Sequence, residues 1–204
     1  MSEYAIGIED HYAWANMVCL AISGPDEVLL DKRRVELLDP SLPASPYHRD
    51  TLRMPADEAE QLVRAVRASA SAHAESALSA LIADLTPATC QAIAIRVPPL
   101  PDLPASVAEA HADTRVLNRA DGMIYHQALT DAARQLGLNV VQFEKSTVLA
   151  QAAQARGAMT GELEQRLKDL GKALGPPWQK GHVIACAGAI LAGTSASPRA
   201  MSGR

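Results

Sequence analysis

Two acidic side chains and a histidine follow the first apolar run of the sequence, at the point where a strand is expected to end. Glu9, Asp10 and His11 come directly after the apolar residues 5–8. Because α/β folds place ligands at the ends of their strands, these groups could meet there as metal ligands or as a general base. We predict Glu9 and Asp10 as catalytic residues and metal ligands. A polar hairpin turn is the alternative interpretation.

A second candidate is the proline-rich segment over residues 39–54. His48 lies there between Tyr47 and Arg49, and the prolines stiffen the chain, which lowers the entropy lost when such side chains are held for a ligand. We predict His48 as a catalytic residue and Arg49 as a ligand-binding residue. An ordinary exposed loop is an equally good interpretation of this segment.

The most unusual string of the chain, residues 175–182, precedes the last apolar helix. It joins a helix stop and two prolines to an aromatic side chain and a cation that open a new helix. We predict Trp178 and Lys180 as ligand-binding residues, because Lys180 and the free amides of that helix start could bind an anion. The alternative role of Trp178 is an anchor in the core.

Glu144 and Lys145 end the last predicted strand. If that strand runs parallel to the first, both residues lie next to the sheet edge where Glu9 emerges. We therefore predict them as ligand-binding residues, with a structural salt bridge as the alternative. The sequence contains no glycine-rich pattern of the dinucleotide or P-loop type, so binding of those nucleotides has no support.

The composition indicates one globular domain in the cytoplasm. The chain has 204 residues, of which 48% are hydrophobic and only 3% aromatic, enough for a sizeable aliphatic core. Its net charge of -4 argues against a broad basic surface for duplex nucleic acid but permits a local basic groove. Its first residues lack the basic start of an export signal, and no apolar run reaches the roughly 18 residues that a membrane helix needs, so we expect neither export nor a membrane span. We predict a single domain over residues 1–192 and a flexible tail over residues 193–204.

Hydrophobic periodicity predicts an α/β fold with the hairpins first. Apolar runs and turn residues predict three adjacent antiparallel strands, and two β-α-β units follow them. The sheet is therefore a mixed one of about five strands, with a three-strand antiparallel meander and two parallel strands, flanked by helices. The predicted strands cover residues 5–8, 14–22, 27–38, 90–97 and 139–143, and the predicted helices cover residues 55–84, 106–136, 146–156, 162–174 and 178–191.

This order of elements resembles the ribonuclease H-like superfamily, which includes the Holliday-junction resolvases. In that superfamily an acid lies on the first strand, often in Gly-Ile-Asp, and the string Gly7-Ile8-Glu9-Asp10 occupies the corresponding place. The resemblance implies nuclease activity, nucleic acid as the partner and Mg²⁺ or Mn²⁺ as the cofactor. Residues 31–40, 46–50 and 175–182 also resemble a family of uncharacterised bacterial proteins, which implies no activity.

The sequence departs from the superfamily at its two later acids. The fourth strand ends in Arg96, and His182 on the last helix stands where an Asp is expected. Magnesium prefers several carboxylate oxygens, so one acid pair and a histidine hold it poorly. We therefore predict a ribonuclease H-like protein with a degenerate acidic centre that acts as a binding or regulatory module.

Two alternatives stay open. One is a metal-dependent nuclease or phosphoryl hydrolase, in which His48 or His182 joins Glu9 and Asp10 as an unconventional ligand or base. The other is an assembly subunit, in which the alanine-rich helices and the segment around Trp178 pack against a second copy as a homodimer.

Overall fold

A five-stranded mixed sheet forms the centre of the fold. The computed structural model describes residues 2–22, 24 and 26–196. The strands are β1 (Glu3–Asp10), β2 (Trp14–Ala21), β3 (Val28–Glu36), β4 (Thr89–Arg96) and β5 (Val140–Phe143). Their order is β3-β2-β1-β4-β5, with β1 to β3 antiparallel and with β4 and β5 parallel to β1. This confirms the fold class that the sequence predicts.

Helices cover both faces of the sheet. They are α1 (Ala56–Asp84), α2 (Val107–Ala112), α3 (Thr114–Gln135), α4 (Val148–Ala155), α5 (Thr160–Leu174) and α6 (Lys180–Ala196). The predicted helix over residues 106–136 breaks at Asp113, whose side chain accepts a hydrogen bond from the Arg115 amide and so begins α3. None of the helices in the described part of the chain is long and apolar enough to cross a membrane.

Strand alternation divides the core into two layers. Along β1, Tyr4, Ile6 and Ile8 pack with α1 and α3, whereas Ala5 packs with α4, α5 and α6. Helix α6 lies directly on the β1 backbone because position 7 is a glycine. A Cβ atom at Gly7 would lie 1.7 Å from the carbonyl oxygen of Ala185. The N-terminal half of α6 therefore lies against β1, next to the acidic end of that strand.

Two segments that the sequence predicts to be irregular contain helical structure. The proline-rich segment contains a π-helical turn over Pro46–Asp50 and a 3-10 turn over Thr51–Arg53. Helix α6 continues to Ala196, beyond the predicted domain boundary at residue 192. It continues because Ala192 is buried and Gly193 packs so closely that an added Cβ would lie 2.4 Å from the Ile22 side chain. Residues 197–204 of the predicted tail lie outside the described residues.

Candidate functional site

The two acids at the end of β1 lie on opposite faces of the sheet. Glu9 faces α6, where a Cβ at Gly181 would lie 2.7 Å from its Oε2 atom. Asp10 faces the α1 and α3 layer, because successive residues of a strand alternate between faces and Ile8 lies in that layer. A metal ion shared by Glu9 and Asp10 would require one carboxylate to leave its face of the sheet.

Glu9 is a buried carboxylate with basic partners. Only 3% of the residue is exposed. Lys145 donates from Nζ to Oε1 at 2.6 Å, and the His11 ring contacts Oε2. Because the Lys145 side chain is more than half exposed, it contacts both solvent and the buried carboxylate. The parallel order of β1, β4 and β5 brings these two residues together. Gly181 lets α6 approach this centre without a steric clash.

An aromatic stack extends from this centre toward β3. The His11 and Trp14 rings lie parallel, with their centroids 3.8 Å apart. The Arg34 guanidinium lies over the same Trp14 ring, 4.1 Å from its centroid, which is a cation–π geometry. Arg34 is also paired with Glu36 at 2.9 Å. The stack therefore orients His11 toward Glu9 and presents an exposed cation at its outer end.

Asp10 forms a separate centre on the other face. Arg96 donates from Nε to Oδ1 at 2.6 Å. The second oxygen, Oδ2, is buried and has no hydrogen-bond partner among the described residues. Burial lowers the pKa of the nearby His126 below its ordinary value, so its imidazole is neutral at pH 7. Arg96 therefore compensates the charge of Asp10.

His48, which the sequence predicts as catalytic, lies on the face of the sheet that α3 covers. Its side chain and that of Arg49 are exposed, and its backbone is held by Asp121 of α3. The Asp121 carboxylate accepts the Tyr47 amide at 2.9 Å and the His48 amide at 3.1 Å. Burial raises the pKa of Asp121 above its usual range. His48 and Glu9 therefore approach the sheet from opposite sides.

His182 lies on the same face as Glu9, on the first turn of α6. It is 5% exposed, and its Nδ1 atom accepts a hydrogen bond from the Gln179 amide at 3.1 Å. Burial lowers the pKa of His182, which favours the neutral ring. The ring also stacks on Trp178, with the centroids 5.4 Å apart. His182 thus helps to cap the helix that packs against Glu9.

The segment before α6 is attached to β3 and to α5. Lys32 donates to the carbonyl of Gly175 at 3.0 Å and to that of Pro177 at 3.3 Å. The Trp178 indole lies directly on Gly171, where an added Cβ would be 2.2 Å from the ring. Trp178 is therefore packed between neighbouring elements, and its buried Nε1 atom has no hydrogen-bond partner in the described structure.

Three of the predicted ligand-binding residues share one cleft. Lys145, Trp178 and Lys180 line a cavity of about 920 Å³ beside α4, α5 and α6. Glu144 is exposed, and its carbonyl oxygen accepts the Val148 amide at the start of α4. Arg49 lies with His48 on the other face. A smaller cavity of about 240 Å³ opens between β3 and α6, lined by Trp14, Asn16, Lys32, Arg33, Arg34, Pro177, Gln179 and His182.

The residues around Glu9 do not fit a divalent metal. Within residues 2–196, as far as the structure describes them, no three side chains of the His, Cys, Asp and Glu types group as metal ligands. Both oxygens of Glu9 have basic partners, and Nδ1 of His182 accepts a backbone amide. Magnesium is held by several oxygen ligands, which this face does not supply. The donor set therefore differs from the one that the superfamily resemblance implies.

Asn16, Asp121 and His126 are polar residues of these centres that sequence patterns did not indicate. All three are buried, with 2–4% exposed. Asp121 and His126 lie in a helical stretch whose polar residues suggest a solvated face. Asn16 could have been identified from its position on β2, where it is the antiparallel partner of Glu9.

Comparisons with known proteins bear on the fold. Neither a protein-family model nor a curated protein matches the sequence. Among solved structures, the chain is similar to Thermus thermophilus RuvC in complex with a Holliday junction substrate, with 13% identity, 92% of this chain and 90% of that chain covered, and a TM-score of 0.51. Another Thermus thermophilus RuvC structure gives 14% identity, the same coverage and a TM-score of 0.50. The chain therefore has the fold of these RuvC structures, which is the ribonuclease H-like fold that its sequence predicts.

Proposed function

We propose that this chain is a ribonuclease H-like binding module that binds nucleic acid and does not cleave it through metal ions. One observation carries the proposal. Glu9, at the place of the superfamily's first acid, is bonded to Lys145 and contacted by His11. An ammonium group thus supplies, from within the chain, positive charge that a metal ion would otherwise bring.

Electrostatics oppose metal binding at this carboxylate. A divalent cation at Glu9 would lie next to the Lys145 ammonium, whose Nζ is only 2.6 Å from Oε1. Like charges at such short range repel, and the burial of Glu9 limits solvent screening on its side of the pair, although Lys145 itself is half exposed. Moving Lys145 away would leave the buried carboxylate without its present partner, which is costly unless the ion gains further ligands. Asp10 cannot supply one from the opposite face.

Basic side chains around this centre support nucleic acid as the partner. We use the name basic rim for Lys32, Arg34, Lys145 and Lys180, which line the two cavities on either side of the first turn of α6. The net charge of the whole chain is -4, so the positive charge is local. Localised lysine and arginine side chains bind phosphates and make the affinity depend on salt. The similar RuvC structure holds a Holliday junction substrate, which makes a four-way junction the first probe.

Neutralising part of the basic rim should weaken this binding. The Arg34→Gln and Lys180→Gln double variant removes two exposed cations, neither of which contacts Glu9 directly. We expect about a tenfold higher Kd for a labelled four-way junction, and a slope of log K against log salt that is smaller by about 1 to 2. Fluorescence anisotropy in EDTA measures both quantities.

The matched control is Arg115→Gln, which removes an exposed cation at the start of α3, on the opposite face. It should leave both the Kd and the salt slope unchanged. No junction binding by the wild-type chain at low salt, or equal losses in the two variants, would contradict the proposal. The homodimer and the cytoplasmic location predicted from the sequence stay predictions.

A further inference from the structure

The cavity beside α4, α5 and α6 has the size and the walls of a small-molecule site. We call it the lysine cleft, and its volume is about 920 Å³, near the upper end of the range for ligand pockets. Val148 and Leu149 of α4 line one side, and Val183 and Ile184 of α6 line another. Such aliphatic walls favour an apolar group over a bare inorganic ion.

Three lysine side chains line the cleft beside these apolar residues. Lys145, Lys168 and Lys180 all line the lysine cleft. Lys168 is paired with Glu164 at 2.6 Å, whereas Lys180 forms no ion pair with any residue that the structure describes. The cleft also contains Trp178, whose buried Nε1 donor has no partner among the described atoms. Because this atom is itself buried, a ligand in the cleft contacts the part of the indole ring that lines the cavity and not Nε1.

We propose that the lysine cleft binds a small organic anion with an apolar body. This role goes beyond nucleic-acid binding but uses two cations of the basic rim, Lys145 and Lys180. The apolar body packs between α4 and α6, and the anionic group is bound by Lys180 and Lys145. Because Lys145 also holds Glu9, the anion and the buried carboxylate compete for one ammonium group. A bound anion therefore weakens the pairing of Lys145 with Glu9. Conversely, neutralising Glu9 strengthens binding of the anion.

Anilinonaphthalene sulfonate, an aromatic anion, is a direct probe of the cleft. The chain has two tryptophans, and in Trp14→Phe, with selective excitation of tryptophan, Trp178 is the only tryptophan that can transfer energy to the bound probe. We expect saturable binding of one probe per chain with energy transfer from Trp178. Lys180→Gln and Lys145→Gln should each raise the Kd about tenfold. Glu9→Gln should lower it about threefold, because it releases Lys145.

Two further variants separate this site from general dye binding. Lys172→Gln removes an exposed lysine of α5 that pairs with Asp169 outside the cleft, and the Kd should not change. Leu149→Asp places a negative charge on a half-buried wall position, and energy transfer from Trp178 should be lost. Circular dichroism establishes that each variant is folded. Probe binding that ignores the Lys145, Lys180 and Leu149 changes overturns the proposal.

Competition identifies the source of the anion. Adenosine monophosphate and decanoate both join an anionic group to a surface that can pack on the cleft walls, a planar purine base in the first and an alkyl chain in the second. Displacement of the probe by adenosine monophosphate supports a nucleotide ligand, and displacement by decanoate supports a fatty-acid ligand. Failure of both to displace the probe at millimolar concentration overturns the proposal.

Discussion

Replacing Gly7 with alanine is expected to prevent stable folding. The new methyl group would lie 1.7 Å from the carbonyl oxygen of Ala185 and 2.7 Å from the Ala189 amide nitrogen. Both atoms belong to the α6 backbone, so no side-chain rotation relieves the clash, and α6 must move away from β1. We expect a loss of more than about 3 kcal/mol in the free energy of unfolding, at or beyond the upper end for overpacked cores. Urea unfolding followed by circular dichroism measures it.

Gly161→Ala in α5 is the matched control. Apart from its chain neighbours and the backbone of its own helix, no atom of the described residues lies within 4 Å of a Cβ at that position, and alanine is the better helix former. This variant should be as stable as the wild-type chain or slightly more so. Wild-type stability of Gly7→Ala would mean that α6 does not lie on β1 at this point, and the description of the Glu9 centre would fail with it.

Asp121→Ala is expected to cost about 2 to 4 kcal/mol of stability, because it leaves two backbone donors of the proline-rich segment without an acceptor. The amides of Tyr47 and His48 now donate to this one carboxylate. Tyr47 is 1% exposed, so water replaces the lost bond poorly. Urea unfolding gives the total loss, and hydrogen exchange at the two amides reports whether the turn over Pro46–Asp50 has opened.

Asp113→Ala serves as the comparison for Asp121→Ala. Asp113 also accepts a backbone amide, but it is the exposed N-cap that precedes α3, so its loss should cost only about 1 kcal/mol. Equal effects of the two variants, or unchanged exchange at residues 47 and 48 in Asp121→Ala, would contradict the anchoring role of Asp121.

The elements were predictable because their patterns are local. Turn residues separate β2 from β3, and the apolar residues of α1 recur at three- and four-residue steps over a helix of 29 residues. The extension of α6 beyond residue 192 was not predictable in the same way. It depends on the packing of Gly193 against Ile22, a contact between distant parts of the chain.

Some features of the site follow from the local sequence, and others depend on contacts between distant parts of the chain. Strand alternation alone places Glu9 and Asp10 on opposite faces, so this separation was available from the sequence once both were assigned to β1. The position of His48 was not, because its segment is held by Asp121, which lies 73 residues away in the sequence. The contact of Lys145 with Glu9 depends on the parallel strand order, which the sequence did predict.

A manganese titration by calorimetry, followed by incubation of the same protein and metal with a labelled four-way junction, tests directly whether Glu9 supports metal-dependent cleavage. Wild-type protein and Glu9→Gln are compared side by side. Because Lys145 neutralises Glu9, we expect no manganese binding that depends on Glu9 and a junction that remains intact in both samples. Manganese binding and junction cleavage by the wild-type chain, both lost in Glu9→Gln, would contradict the account and establish a metal-dependent nuclease.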